Sequence, residues 1–226
     1  MEVFLVACTK PSAITGCNGV EEFIAYCARV SNPENQNNKG STEKLLKYLI
    51  KHKHWSPFEM ASLTIGIQTT RDISRQILRH RSFSFQEFSQ RYAETLNFEI
   101  REPRFQDEKN RQNSIKLDKN DPKAVEKAET FQLAQVKVLN EARNAYLEAL
   151  EKGIAKEQAR ALLPEGLTGT TLYMSGTLRS WIHFCQLRMA HGTQKEHQDI
   201  AKKCWEIIET HFPTVVKACD AYIIFS

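Results

Sequence analysis

Arg79-His80-Arg81 and Ser89-Gln90-Arg91-Tyr92 bracket one short stretch of this chain, with Glu87 between them and Phe83, Phe85 and Phe88 interleaved. Fixed cations give a folded protein little unless an anion lies opposite them. Guanidinium is the group suited to a bidentate grip on phosphates and to stacking on planar rings. The chemistry this stretch offers is therefore binding of an anionic ligand. A second group lies far downstream: Arg160 in Ala-Arg-Ala-Leu-Leu-Pro, then Arg179, His183 and Gln186 at i, i+4 and i+7 on one helical face. Arg188 follows Arg179 at a spacing that, at about 100° per residue, puts it on nearly the opposite side. One straight helix cannot easily aim both arginines into a pocket of its own subunit. Either they serve different sites and the helix lies at a subunit interface, or one is a surface arginine.

Each of these residues also has a plainer reading. Arg71, Arg75 and Arg79 would line one helical face, where like-charge pairs cost roughly 0.2–0.5 kcal/mol each. A solvated face accounts for Arg71 and Arg75, but not for Gln76, Arg79, His80 and Arg81 together. Ser89 has no base-and-orienter pair beside it in sequence, so binding is preferred to nucleophilic attack. The six cysteines show no Cys-x-x-Cys spacing and read as small buried hydrophobes in a reduced, cytoplasmic compartment. Histidine and cysteine spacings do not suit zinc. No Gly-x-Gly-x-x-Gly or P-loop occurs, so neither a dinucleotide fold nor a nucleoside-triphosphate site is signalled.

The elements that must position these groups follow from periodicity. Val3–Ala7 reads as an early buried strand. Gly19–Val30 and Thr42–Lys51 read as helices, the second capped by Ser41 or Thr42. Phe58–Thr70 reads as a strand, and Asp72–Leu78 as a helix leading into the Arg-His-Arg loop. The segment 101–120 is polar and charged, and is expected to be an exposed, mobile excursion. Asp121-Pro122 starts a long helix with a stripe of Ala124, Ala128, Phe131, Val138, Ala142, Ala145 and Ala149. Thr168–Ser175 is β-like, and Leu178–Met189 and Thr193–His211 are helical. A net charge of +4 is mild, favouring small anionic ligands over nucleic acid. No apolar run approaches membrane-spanning length. The expectation is one mixed α+β domain over residues 1–226, with helices flanking a central, mostly antiparallel sheet.

The Arg79-His80-Arg81 … Ser89 spacing, with Glu87 and Arg91 in place, resembles the signature of the flavin-dependent thymidylate synthases (ThyX family). Ala28-Arg29-Val30-Ser31, His54-Trp55-Ser56-Pro57-Phe58-Glu59, Arg75-Gln76-Ile77-Leu78, Ala159–Pro164 and Leu187-Arg188 are similar to other blocks of that family. The resemblance implies conversion of deoxyuridylate (dUMP) to thymidylate (dTMP). Methylenetetrahydrofolate would supply the carbon and reduced FAD, renewed by NADPH, the hydride, with no cysteine nucleophile. It also implies a homotetramer with active sites shared between subunits. Carried over by position, Gln76, Arg79, Glu87, Ser89, Arg91, Arg160 and Arg188 would hold dUMP, Arg188 stabilising the charge that develops on the ring. Ser56, Arg79, His80, Arg81, Glu87, Leu178, Arg179 and His183 would hold FAD. Met60, Thr177 and His183 depart from the family pattern, so altered flavin affinity is expected. Two other readings stand beside this one. One is a uridine-recognising RNA-binding protein stacking bases on Phe83, Phe85 and Phe88; the other is a flavoprotein of the same fold with lost or changed methyl transfer.

Overall fold

The computed structural model describes residues 1–223. Strand β1 (Glu2–Cys8) and helices α1 (Val20–Ala28) and α2 (Thr42–Lys51) lie where periodicity placed them. Ser41 precedes α2 but does not cap it; its Oγ instead accepts from the Arg29 guanidinium at 2.9 Å. The strand expected over Phe58–Thr70 is shorter. β2 is Ser62–Thr70, and Ser56–Glu59 wind into a 3-10 turn. Pro57 explains this: its ring sets φ and it has no N–H for a strand ladder. Helix α3 (Arg71–Ile77) follows directly, and β3 is Ser84–Glu87.

The charged stretch after Arg101 carries a hairpin of β4 (Arg104–Gln106) and β5 (Ser114–Lys116). Its root is tied down. The Arg101 guanidinium donates to Asp72 Oδ1 at 2.5 Å and Thr70 Oγ1 at 2.6 Å, and lies 3.4 Å from Glu196. Charge density in the sequence reported exposure, but not that one cation would be paired by residues from two other elements.

Helix α4 (Pro122–Glu151) starts as expected, with Asp121 Oδ1 accepting the Lys123 N–H at 3.0 Å. Its buried line differs from the expected stripe. It runs Ala128, Gln135, Leu139, Tyr146, while Phe131 and Val138 are about half exposed. Only one narrow seam of this helix meets the rest of the chain. After α5 (Lys156–Ala159) come β6 (Gly169–Thr177), α6 (Leu178–Arg188), α7 (Lys195–His211) and α8 (Pro213–Tyr222).

Apart from the β4-β5 hairpin, the strands form an antiparallel sheet in the order β1-β2-β6-β3, so the mixed α+β class with a helix-flanked antiparallel sheet holds. Leu63, Ile65 and Ile67 of β2 alternate onto one face with Leu172 and Met174 of β6. They share a core with Trp181, Ile182, Phe184 and Cys185 of α6, and with Ile200, Ala201, Cys204 and Ile208 of α7. This burial, at about 25 cal/mol per Å² of apolar surface, is the main force that sets α6 and α7 against the sheet. Among the described residues no helix is long and apolar enough to cross a membrane.

Gly176 is where the sheet meets the Arg-His-Arg loop. A Cβ there would fall 2.4 Å from the Phe83 ring, which itself packs edge-on against Trp181 at 4.9 Å. Phe83 thus pins the loop to β6. Gly176→Ala should force the ring to move and cost about 1–3 kcal/mol of stability in urea unfolding. Gly166→Ala, which meets nothing within 4 Å, should stay within about 0.5 kcal/mol of the parent.

Candidate active site

Helix α3 ends at Ile77 with Leu78 as its C-cap, and the chain turns so that the His80 N–H reaches the Ile77 carbonyl at 3.1 Å. The His80 ring then meets the last turn of α6. Its Nε2 accepts from Arg188 Nε at 2.8 Å, and its face lies edge-on to Phe184 at 4.9 Å. Burial, then the charge of Arg188, pulls His80 down to about 4. The ring is therefore neutral and carries its hydrogen on Nδ1. Burial also lowers Arg188, and the charge of Arg79 adds to this, so two guanidiniums share the neighbourhood. Among the described residues, Arg79, Arg81 and Arg188 have no carboxylate partner. Gln76 completes this group: its Nε2 donates to Gln194 Oε1 at 2.7 Å, and its Oε1 lies 3.4 Å from His197 Nδ1.

A second group surrounds Glu87 at the end of β3. Oε1 accepts from Ser74 Oγ at 2.7 Å and from Thr170 Oγ1 at 3.1 Å; Oε2 takes Arg75 at 3.4 Å. Arg71 lies 3.8 Å away and is 6% exposed. The solvated face expected for Arg71 is therefore overturned, because α3 begins directly after β2, where Glu87 of β3 lies against its first residue. Burial lowers the Arg71 pKa more than Glu87 raises it. Arg71, Arg75, Gln90 and Arg160 line a cleft of about 360 Å³ with Glu157 and Glu165. Within it, Arg71 NH1 and the buried Gln90 Nε2 lack hydrogen-bond partners, and the Arg160 Nε donates to the Glu157 carbonyl at 3.3 Å. Arg91 lies on the same side, 3.3 Å from Glu157, and Ser89 Oγ accepts the Arg91 N–H at 3.4 Å. Gln90 stood inside the motif; the unpaired cleft donors were visible only once the chain had folded.

The third group sits at the opposite end of α6. Arg179 pairs with Glu59 at 2.5 Å, and the His183 ring meets Trp55 edge-on at 4.9 Å. Burial and then the Arg179 charge lower the His183 pKa, against a Gln186 hydrogen bond. Ser56 is exposed at the start of the 3-10 turn. Thr177 Oγ1 caps α6 by accepting the Ser180 N–H at 3.3 Å. Leu178, expected at a cofactor, has a core position: its side chain is fully buried and its N–H bonds the Ala61 carbonyl at 2.8 Å. Arg179 and Arg188 thus serve different neighbourhoods, as their helical phase required. Within one chain the structure does not unite the Ser56, Arg179, His183 group with the other two.

Two further points narrow the chemistry. Phe83 and Phe85 pack against the core and only Phe88 is exposed, so the three do not form a base-stacking platform. Burial pushes the thiols of Cys185 and Cys204 well up and that of Cys219 to about 12, which disfavours the thiolate. Among the described residues no cluster of His, Cys, Asp or Glu could hold a metal ion.

Residues 14–214 match the family model described as thymidylate synthase complementing protein (Thy1). A probable flavin-dependent thymidylate synthase of Paramecium bursaria Chlorella virus 1 is 51% identical over 221 residues, spanning 97% of this chain and 99% of the relative. The chain belongs to the flavin-dependent thymidylate synthase family. A second member of that family, from Synechocystis sp., is 49% identical over 97% of this chain and all of its own length. The crystal structure of the UMP/dUMP methylase PolB from Streptomyces cacaoi, bound with 5-Br dUMP, superposes with a TM-score of 0.81. It is 26% identical, covering 98% of this chain and 95% of that one.

The half-buried His80 and the buried His197 predict a pH dependence. His80 is held at about 4 and His197, by burial and then Arg188, at about 3. In the unfolded chain each binds a proton below about 6.5. Between that value and the folded ones the unfolded state holds more protons, so stability rises with pH and is lost as pH falls. The urea midpoint should decline steadily from pH 6.5 to 5, and His197→Phe should flatten that slope. A parent midpoint independent of pH over this interval would contradict the neutral state of both rings.

Proposed function

We propose that this protein converts dUMP to dTMP, taking its carbon from methylenetetrahydrofolate and its reducing equivalents through FAD from NADPH. The observation that carries this is Arg188 held on the neutral His80 beside Arg79. It is a fixed, partly desolvated positive centre without a carboxylate to neutralise it. Uracil is a poor carbon nucleophile, and a guanidinium at its N3–O2 edge stabilises the negative charge that develops as C5 attacks. Preorganised donors of this kind are worth about 3–4 kcal/mol of barrier.

The donors of the second group that lack hydrogen-bond partners among the described residues fit the other end of the nucleotide. A phosphate entering the cleft would meet Arg160, Gln90 Nε2 and Arg71 NH1, with help from Arg91, which pairs with the lining Glu157, and from Ser89, which accepts the Arg91 N–H. Gln76, Arg79, Glu87 and Arg188 hold the nucleoside. The residues also fit FAD. Arg79 and Arg81 supply cations for its diphosphate, neutral His80 an Nδ1–H, and Arg179, His183 and Ser56 a polar shelf beside Trp55. When bound in its reduced form, FAD supplies the hydride. The raised thiol pKa values support a route that needs no cysteine nucleophile. Because the third group lies apart from the first two, we infer that sites are completed across subunits, in a homotetramer.

The deciding experiment is conversion of dUMP by the pure protein, dependent on NADPH and methylenetetrahydrofolate. The purified protein should be yellow; a colourless protein that also failed to take up added FAD would remove the flavin reading. Sedimentation should give a tetramer, and an active monomer would end the shared-site argument.

A further inference from the structure

His197 belongs to neither arginine motif, yet it is wholly buried in the first turn of α7. Its ring lies 5.7 Å from Phe184 and 6.2 Å from His80, centroid to centroid. Packing alone would favour an aliphatic side chain here, because a buried polar group without a partner is costly. Among the described residues His197 Nε2 has no hydrogen-bond partner, and Nδ1 faces the Gln76 Oε1 at 3.4 Å. What the imidazole contributes is therefore to be sought at Gln76. Gln76 donates from Nε2 to Gln194 Oε1 at 2.7 Å, which turns its carbonyl end towards His197. A carbonyl oxygen only accepts, so Nδ1 is the nitrogen that carries the hydrogen. His80 is the neighbouring imidazole, and its Nε2 already accepts from Arg188. The charged groups facing this pair are Arg188 and, behind it, Arg79.

We propose that His197 is a positioning residue for nucleotide binding, clamping the Gln76 amide between its own Nδ1–H and Gln194. The clamp leaves one N–H and one carbonyl lone pair of Gln76 for the pyrimidine nucleotide, in a single orientation. Without the imidazole the amide can turn over and present donor and acceptor exchanged. Gln76 then meets the nucleotide with the wrong group in part of the population, and affinity falls while the reacting centre at Arg188 is untouched. This inference rests on the reading of Gln76 as a nucleotide ligand.

The test is calorimetric binding of dUMP to the FAD-loaded protein, with KM and kcat alongside, for His197→Phe, His197→Asn, Gln76→Ala and the double variant. His197→Phe should weaken dUMP binding about tenfold and raise KM in step, with a much smaller change in kcat and an unchanged flavin content. His197→Asn, whose Nδ2 can reach the place of Nδ1, should recover most of the affinity. In the Gln76→Ala background His197→Phe should add nothing. Equal dUMP affinity in His197→Phe and the parent, or the same tenfold loss without Gln76, overturns the clamp. A parent that binds no dUMP overturns the functional reading first and this inference with it. If His197→Phe does not fold, nitrogen NMR of the parent decides. The Nδ1–H tautomer is expected at pH 7, and an Nε2–H tautomer overturns the proposal.

Discussion

Arg188→Ala should retain FAD and lose about two to three powers of ten in turnover, the usual loss when one preorganised charge-stabilising donor is removed. Two features of the structure underlie the size of this effect. Arg188 is partly desolvated, so its charge acts through a medium of lower dielectric than water. It is also aimed, because its Nε is held by the His80 Nε2 at 2.8 Å while the remaining guanidinium donors stay free. Arg188→Lys keeps the charge but not the planar pair of donors, and should fall between the parent and the alanine variant. The measurement is single-turnover dTMP formation, with bound flavin read from its absorbance. Near-normal turnover in Arg188→Ala would remove Arg188 from the chemistry. A large loss of flavin would instead assign it to cofactor binding.

Glu87→Ala should be the most destabilising single change at the site, by roughly 3–5 kcal/mol, because it leaves a buried guanidinium without its counter-ion. Glu87 faces Arg71 at 3.8 Å and Arg75 at 3.4 Å, and accepts hydrogen bonds from Ser74 and Thr170. Of the two cations, Arg71 matters more, since it is buried whereas Arg75 can turn to water. Glu87→Gln keeps an acceptor for the two hydroxyls and should lose less. Arg71→Met in the Glu87→Ala background should restore much of the stability, as removing both members of a buried pair is far milder than removing one. Urea unfolding of the four proteins checks this. If Arg71→Met brings no recovery, Glu87 is not acting as the counter-ion of Arg71. The same carboxylate stands in the proposed nucleotide and flavin sites, so the repaired double variant should be folded but weak in binding.

Much of the fold was legible along the chain. β1, α1, α2, α6 and α7 follow apolar periodicity, and the Asp121-Pro122 start of α4 follows from the capping chemistry of those two residue types. The motif stretch named the kind of chemistry, because three arginines, a histidine and a glutamate so close together are hard to justify without an anion. The opposed phases of Arg179 and Arg188 were also written locally, in nothing more than the helical repeat. Misreadings cluster where a residue's partner comes from a distant part of the chain. Arg71 looked solvated because Glu87, the carboxylate that faces it, belongs to another strand. Phe83 looked like a stacking surface because Gly176, whose missing Cβ makes room for its ring, lies on β6.

The sequence by itself determined the family, the helical phase and the inventory of donors and charges, all of which depend on residue type and local spacing. Only the tertiary structure decided which of those charges are neutralised and which remain free for a ligand. His80 meets Arg188 across 108 positions, and His197 meets Gln76 across 121. The lowered pKa of each ring follows from burial and then from the charge of Arg188. A guanidinium beside a carboxylate is structural, and the same guanidinium beside a neutral imidazole is available for chemistry. Local sequence cannot distinguish the two, because the difference lies in what the fold places a few ångströms away.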